Sequence, residues 1–310
     1  MSALVPPALP GEVPPAVSGK VSLGGRVGGF IALTKPRIVE LLLVTTLPTM
    51  IVAARGLPRW SLMVATLVGG TLAAGGANAI NMFVDRDIDA VMHRTRRRPL
   101  VTGVVTPGQA LTFAVVLEVV AFAELWAEVN LLSAVLAVSA MLFYVFVYTL
   151  WLKRTSRQNI VIGGAAGAVP VLVGWAAVRN DVAWAPVVLF ALMFVWTPPH
   201  FWALAIRYRD DYRSVHVPMM PVVTTFKRTA AQIFGYTVLV AAVSLLFAWT
   251  AGMGPLYWAA AVVLGAVFCA LAFGLWRDPN EAKAMRLFHW SITYVTLLFA
   301  AMAVDALVFH

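Results

Sequence analysis

The chain has 310 residues, of which 61% are hydrophobic and only 12% are charged, and its formal net charge is +9. Soluble domains average about 25% charged residues, so this composition excludes an ordinary soluble protein and indicates an integral membrane protein. The single cysteine, Cys269, excludes an intramolecular disulfide and a cysteine-based metal cluster.

Residues 1–30 are predicted to be a disordered cytoplasmic tail. Five prolines fall within the first 15 residues, and no basic segment leads into an apolar stretch as it would in a signal peptide. Residues 31–310 are predicted to form one transmembrane domain.

Nine apolar segments approach the ~20 residues that a helix needs to cross a bilayer. They cover residues 38–54, 61–83, 108–127, 131–149, 159–178, 183–203, 229–250, 255–275 and 288–309. The predicted fold class is therefore all-α, a polytopic protein embedded in a lipid bilayer.

Lysines and arginines are distributed very unevenly over the loops between these segments. When the nine segments cross the membrane alternately, 20 of the 23 basic residues lie on one side and 3 on the other. By the positive-inside rule the rich side is cytoplasmic, which places the N-terminus inside and the C-terminus outside the cytoplasmic membrane. The positive charge is thus a mark of topology, and no nucleic-acid partner is expected.

The most informative motif is NMFVDRDID at residues 81–89, at the end of the second apolar segment. Asn81, Asp85 and Asp89, called the ladder below, are four residues apart and share one helical face, whereas Asp87 points elsewhere. Magnesium takes few protein carboxylates and completes its coordination with water and phosphate oxygens. The ladder therefore predicts a Mg²⁺-diphosphate site at the membrane edge.

Asp210 and Asp211 form a second acidic cluster just after the sixth apolar segment. Like the ladder, this cluster follows a long apolar helix, contains interleaved arginines and leads into a proline, which suggests an internal repeat with two facing half-sites. A structural alternative is that these carboxylates only terminate helices and stay solvated beside arginines.

A site with magnesium, carboxylates and arginines at the end of an apolar bundle fits a prenyl diphosphate, which has an anionic head and a hydrocarbon tail. The apolar surroundings would keep water from the carbocation that forms when the diphosphate leaves. Aromatic rings offer π faces to such a cation, although packing between helices is their more ordinary role. The candidates are Phe83, Phe194, Trp196, Phe201 and Trp202.

Several motifs, in order along the chain, resemble one known family. NMFVDRDIDAVMHRTRRRPL resembles the NxxxDxxxD motif and arginine loop of the UbiA-type intramembrane prenyltransferases. LTKPRI at 33–38, YTLWLKRTSRQNIVIGGAAGAVPVLVGWAAV at 148–178 and TPPHFWALAIRYRDDY at 197–212 are similar to the branch of that family that farnesylates haem, the haem O synthases. The resemblance extends over about residues 30–305.

The resemblance implies a bundle of about nine transmembrane helices around a central cavity. It implies that farnesyl diphosphate alkylates a vinyl group of haem B, with water addition, to give haem O in haem A biosynthesis. Mg²⁺ is the implied cofactor, haem B is a substrate and not a retained cofactor, and haem A synthase is a candidate partner.

The same resemblance assigns roles to individual residues. Catalytic roles fall on Asn81, Asp85, Asp89, Asp210 and Asp211, and the metal ligands among them are Asn81, Asp85, Asp89 and Asp211. The Asp210–Asp211 pair would hold a second metal or orient a capping loop. Contacts to diphosphate or haem propionates fall on Lys35, Arg94, Arg98, Lys153 and Arg154. His200 follows Pro198 and Pro199, which kink its helix, and it is assigned to the substrate cavity.

Two alternative functions remain at this point. A UbiA-type transferase that prenylates an aromatic or quinone precursor would carry a more acidic second motif, whereas here His200 stands where that motif has its first aspartate. A transporter of haem or an anionic lipid would explain a repeat but not the ladder. Glu118, Glu124 and Asp305 lie in apolar segments, where they need partners or water, and they receive no assignment.

Overall fold

The computed structural model describes residues 22–309, with the side chains of that range apart from residues 37–39 and 41–43. The α-helices in chain order are α1 (Leu23–Thr34), α2 (Pro36–Ala54), α3 (Trp60–Val84), α4 (Arg86–Val91), α5 (Pro107–Glu124), α6 (Leu131–Leu142), α7 (Lys153–Thr155), α8 (Asn159–Arg179), α9 (Trp184–Arg207), α10 (Arg209–Ser214), α11 (Met220–Val223), α12 (Phe226–Thr250), α13 (Pro255–Arg277) and α14 (Glu281–Val308). Two π-helical segments, Leu125–Val129 and Phe143–Leu152, continue α5 and α6.

The predicted all-α membrane fold is confirmed. Within the described residues, eight helical segments are long and apolar enough to cross a membrane. The first predicted span falls on α2, whose described apolar stretch is Val44–Ala54. The protein is therefore a multi-pass membrane protein with nearly the predicted number of spans.

The predicted tail ends earlier than residue 30. Residues 1–21 lie outside the described residues, but from Leu23 onward the chain is helical. Ser22 caps α1 by accepting a hydrogen bond from the Gly25 N–H at 3.2 Å, and Leu33 near the end of the helix is fully buried. The prediction of disorder is thus wrong for residues 23–30, because glycine-rich residues that lack a strong apolar pattern still form a helix here against α3.

Helices α3 and α5 pack closely, and this contact positions the end of α3 where the ladder lies. Small residues on α3 allow the approach, since a Cβ atom added at Gly76 would lie 2.6 Å from Oε1 of Glu118. Glu118 is buried on the face of α5 that meets α3. On the other side of the bundle, α9 packs against α8, α12 and α14 around the largest apolar core.

Asp305, which received no assignment from the sequence, caps a neighbouring helix. It is fully buried in α14, and its carboxylate accepts hydrogen bonds from the N–H groups of Gly254 at 2.6 Å and Tyr257 at 3.0 Å. These groups open α13, where the first N–H donors of a helix have no partner within the helix. The carboxylate also lies at the positive end of the helix dipole. Asp305 therefore joins the last two spans.

Replacing Asp305 with alanine should lower the free energy of unfolding by about 1–3 kcal/mol, because two buried N–H groups lose their acceptor. Asp305→Asn retains one acceptor oxygen and should cost less. Thermal unfolding of the protein in detergent measures both effects. Asp181→Ala is the matched control, since Asp181 is exposed and accepts only the indole N–H of Trp175 at 2.9 Å. Equal losses for Asp305→Ala and Asp181→Ala would contradict the capping role.

Candidate functional site

The structure brings the three ladder residues together on one face, as the four-residue spacing predicts. Helix α3 ends at Val84, yet the Asp85 N–H bonds to the Asn81 carbonyl at 2.9 Å and the Asp89 N–H to the Asp85 carbonyl at 2.8 Å. The helical register therefore continues into α4. Asn81, Asp85 and Asp89 are buried, with at most 4% of their surface exposed, and the Asn81 amide donates to Oδ2 of Asp85 at 2.8 Å.

Each ladder residue contacts a cation from a different part of the chain. Lys35, at the junction of α1 and α2, donates to Oδ1 of Asn81 at 2.7 Å. Lys153 of α7 forms a short ion pair with Asp85, and Arg98 from the loop after α4 pairs with Asp89 at 2.5 Å. Three of the five predicted cationic residues therefore lie directly on the ladder.

The site carries more positive than negative charge. Two buried carboxylates, those of Asp85 and Asp89, face the ammonium groups of Lys35 and Lys153 and the guanidinium of Arg98. Burial and the positive charges of Arg98 and Lys153 lower the pKa of Lys35 to about 7. An anion bound at this position would relieve the repulsion among the three cations.

A π-helical segment places Lys153 and a further polar group, Thr149, at the site. In Phe143–Leu152 the hydroxyl of Thr149 donates to the Tyr144 carbonyl at 2.8 Å and accepts from the Asn81 amide at 3.2 Å. The rings of Tyr144 and Tyr148 stack on the same segment with centroids 5.4 Å apart. Sequence reasoning missed Thr149 and both tyrosines, because a π-helical turn is not visible as a hydrophobic period. Such turns occur frequently at functional sites.

Asp87 points away from the ladder, as its position in the helix predicts. Its two carboxylate oxygens accept from both terminal nitrogens of Arg154 at 2.7 Å, and this pairing lowers the pKa of Asp87 to about 2. Arg154 also lies 3.8 Å from Oδ1 of Asp85. Arg154, predicted to contact substrate, is thus at the edge of the site and held there by Asp87.

The second acidic cluster does not join the ladder. Asp211 accepts from the backbone N–H groups of His93 at 3.3 Å and Arg94 at 3.1 Å, so it holds the loop that follows α4. The side chain of Asp210 is 91% exposed and pairs with Arg213 at 2.9 Å. Of the two roles predicted for this pair, the contacts support orientation of the loop by Asp211, and they place Asp210 outside the site.

Arg94 is held by aromatic residues at the end of α9. Its guanidinium lies over the rings of Tyr208 at 5.1 Å and Tyr212 at 5.9 Å, and it donates to the Tyr212 hydroxyl at 3.4 Å. The loop containing Arg94 and Arg98 is therefore fixed at both Asp89 and α10. It covers the ladder with a cationic surface.

His200 lies in α9 and contacts α14. It is eight residues before Tyr208, about 12 Å along the axis of α9 at 1.5 Å per residue. Its ring stacks on Trp196 at 4.3 Å, and its Nδ1 lies 2.7 Å from the Ser291 hydroxyl of α14. Ser291, which sequence reasoning missed, also accepts from the Trp196 indole through its carbonyl at 3.0 Å.

The five aromatic residues predicted to line a cavity separate into two groups. Trp196 and Phe201 contact His200, the latter edge-on with a centroid distance of 6.4 Å. Trp202 instead packs in the core against Tyr236, and Phe194 stacks on Phe190. The guanidinium of Arg86 lies over the ring of Phe83. The last three therefore have packing or surface contacts, and their prediction as cavity residues has no support from these contacts.

The donor set of the ladder suits Mg²⁺. Oδ1 of Asp85 is enclosed and accepts no hydrogen bond, so a buried carboxylate oxygen is free to take a ligand. Among the described residues no group of three or more histidine, cysteine, aspartate or glutamate side chains is arranged to hold a metal by itself. Two carboxylates and one amide oxygen are a sparse set, of the kind that Mg²⁺ completes with water and phosphate oxygens.

Sequence comparison identifies related proteins over most of the chain. The profile described as the UbiA prenyltransferase family matches residues 42–297. The chain is 55% identical over 285 residues to the protoheme IX farnesyltransferase of Parafrankia sp. (strain EAN1pec), covering 91% of each chain. It is 52% identical over 291 residues to the protoheme IX farnesyltransferase of Streptomyces coelicolor, again covering 91% of each.

Solved structures share the fold. A digeranylgeranylglyceryl phosphate synthase matches with a TM-score of 0.75 and 16% identity, covering 91% of this chain and 98% of that one. A UbiA homologue from Archaeoglobus fulgidus, bound to DMAPP and Mg²⁺, matches with a TM-score of 0.63 and 15% identity, covering 89% and 99%. At these identities the similarity establishes the architecture.

Removing the Asp211 carboxylate should loosen the loop that follows α4, because two backbone N–H groups lose their acceptor. Asp211→Ala is expected to accelerate tryptic cleavage within the Arg94–Arg98 segment by about tenfold, equivalent to about 1.4 kcal/mol of lost local stability. Asp210→Ala is the matched control, since Asp210 contacts only Arg213 of its own helix. The same cleavage rate in both variants would contradict the role of Asp211.

Proposed function

The chain belongs to the UbiA prenyltransferase family, and we propose that it transfers the farnesyl group of farnesyl diphosphate to a vinyl group of haem B, with water addition, to give haem O. The observation that carries the substrate assignment is identity above 50% over nine-tenths of the chain to protoheme IX farnesyltransferases. Among the described residues no contact favours a quinone precursor as acceptor or transport without chemistry.

The ladder is the binding site for the diphosphate head group. Asn81, Asp85 and Asp89 would hold Mg²⁺, which when bound supplies Lewis-acid neutralisation of the leaving diphosphate. The enclosed, unbonded Oδ1 of Asp85 and the cationic surroundings support this assignment. Asp211 acts on the loop that covers the head group.

Cations that rest on the ladder bind the phosphate oxygens. Lys35, Arg98 and Lys153 contact Asn81, Asp89 and Asp85 respectively, so they are already gathered at one point. A bound diphosphate offers these cations several acceptor oxygens, which can replace the ladder atoms as their hydrogen-bond partners. Because these cations are fixed before the substrate arrives, little reorganisation is needed when negative charge develops on the leaving group.

The bond changes require a region from which water is excluded. The C1–oxygen bond of farnesyl diphosphate breaks and its electron pair leaves with the diphosphate. The π electrons of the haem vinyl group then form the new carbon–carbon bond, which leaves a positive charge on the vinyl carbon attached to the porphyrin. Water adds to that carbon and a proton is lost. The apolar core to which α2, α8, α9 and α14 contribute would keep other water from the first cation.

The membrane placement is part of the same proposal. The ladder would lie on the cytoplasmic side of the cytoplasmic membrane, with the N-terminus inside and the C-terminus outside, and the uneven distribution of basic residues supports this orientation. Farnesyl diphosphate and haem B, both amphipathic, enter from the bilayer with their anionic groups toward this face. The product haem O is the precursor of haem A, so contact with haem A synthase would pass it on without release into water.

Asp85→Asn should lower farnesyl transfer by about 100-fold or more, because a ligand charge is lost without a change in side-chain volume. Asp87→Asn is the matched control, two residues away, and should reduce activity by less than about tenfold, since Asp87 only orients Arg154. Initial rates with purified protein in detergent measure both. Equal losses would contradict the one-face geometry of the ladder.

Purified protein incubated with haem B, farnesyl diphosphate and Mg²⁺ should produce haem O, identified by mass, and EDTA should abolish the product because the ladder alone cannot neutralise a leaving diphosphate. Calcium in place of magnesium is a second control, since Ca²⁺ prefers more ligands than the ladder supplies. Folded protein that leaves both substrates unchanged would contradict the proposed acceptor. Aromatic acceptors would then be assayed in the same way.

A further inference from the structure

A histidine and a serine connect α9 and α14. Nδ1 of His200 lies 2.7 Å from Oγ of Ser291, and the same Oγ lies 2.6 Å from the Phe288 carbonyl one turn earlier on α14. A second bond, from the Trp196 indole to the Ser291 carbonyl at 3.0 Å, fixes the same pair of helices. The position of the imidazole is therefore determined on two sides.

These contacts determine which imidazole nitrogen carries the proton. A serine hydroxyl has one hydrogen, and a carbonyl oxygen can only accept. At 2.6 Å the oxygens of Ser291 and Phe288 would repel each other without a proton between them, so the hydroxyl must donate to the carbonyl. Nδ1 of His200 must then donate to Oγ. The neutral ring consequently has its lone pair on Nε2.

Nε2 is available for chemistry. It has no hydrogen-bond partner among the described residues, and it is not one of the fully enclosed unpaired atoms, in contrast to the indole nitrogens of Trp202 and Trp290. The ring is held between Trp196 at 4.3 Å and Phe288 at 4.8 Å. Nε2 is thus an oriented ring nitrogen without a protein partner among the described residues, in apolar surroundings.

The carboxylates of the ladder are already engaged by cations, since Asp85 contacts Lys153 and Asp89 contacts Arg98. His93, His216 and His289 are exposed on loops or on the outer face of α14. Among the described histidines, His200 alone is half-buried beside the apolar core.

We propose that Nε2 of His200 is the general base for the water that adds to the haem vinyl carbon, and that Ser291 is the positioning residue that keeps Nε2 unprotonated. This inference rests on the proposed function. As the water oxygen forms its bond to the cationic vinyl carbon, Nε2 takes one water proton and the hydroxyl stays on carbon. The resulting imidazolium returns its proton to solvent or to the diphosphate product, so atoms and charge balance.

The decisive variant is His200→Asn, because the asparagine amide can mimic the Nδ1–H donor to Ser291 but has no basic nitrogen. Without the base, the vinyl cation should lose a proton from the neighbouring carbon and give farnesylated haem that is lighter than haem O by one water. We expect the ratio of haem O to total farnesylated haem to fall about 100-fold, while farnesyl diphosphate is still consumed. Heavy-oxygen water labels the hydrated product.

Three further variants distinguish a general-base role of His200 from a role in packing alone. Ser291→Ala frees the ring to carry its proton on either nitrogen and should lower the hydrated fraction, whereas Ser291→Thr retains the hydroxyl and should restore it. His289→Asn removes an exposed histidine two residues from Ser291 and should leave the fraction unchanged. If His200→Asn does not fold, the ratio in Ser291→Ala against Ser291→Thr decides the question.

Each result has a defined meaning. An unchanged hydrated fraction in folded His200→Asn overturns the proposal, as does equal hydration in Ser291→Ala and wild type. A shift of the haem absorption band together with loss of haem binding in His200→Asn would identify an iron ligand and also overturn it. Failure of the wild-type protein to farnesylate haem would instead refute the proposed function, so the two failures are distinguishable.

Discussion

Burial of charge at the end of one apolar helix is the constraint on which the rest of the site depends. A carboxylate out of water is costly unless a cation and hydrogen bonds compensate it, and the cost is greatest in a membrane protein. Asp85 and Asp89 have negligible exposure, so each requires such a partner. The partners come from two other segments, Lys153 after a π-helical turn 68 residues on and Arg98 from the loop that follows α4. The ladder carboxylates and the segments that carry these cations therefore stabilise each other's positions.

The same rule explains two acids that do not belong to the ladder. Asp305 and Asp211 each accept backbone N–H groups from another segment, the former at the start of α13 and the latter in the loop after α4. In both cases an N–H without a partner in its own helix or loop meets a carboxylate from elsewhere. The Asp305 contacts join two spans. The Asp211 contacts hold the loop that follows α4, which contains the cationic residues Arg94 and Arg98.

Departures from regular helix geometry occur where polar groups must be aimed inward. The π-helical turn at Phe143–Leu152 presents Thr149 to Asn81, whereas α9 continues as an α-helix through Pro198 and Pro199 to His200. The result is two separate polar groups, the anion-binding residues around the ladder and one oriented imidazole between α9 and α14. Farnesyl transfer needs such a separation, because the farnesyl cation must be kept from water, whereas the cation on the haem vinyl carbon must react with water.

The sequence by itself determined the membrane character, the number of spans to within one, the shared face of Asn81, Asp85 and Asp89, and the family. These features are local, because apolar length and helical period are properties of neighbouring residues. Only the tertiary structure decided that Asp211 holds a loop while Asp210 faces solvent, that Asp305 caps α13, and that Ser291 orients His200. Such contacts join residues 48 to 118 positions apart, and no period along one chain specifies which buried groups will meet across the bundle.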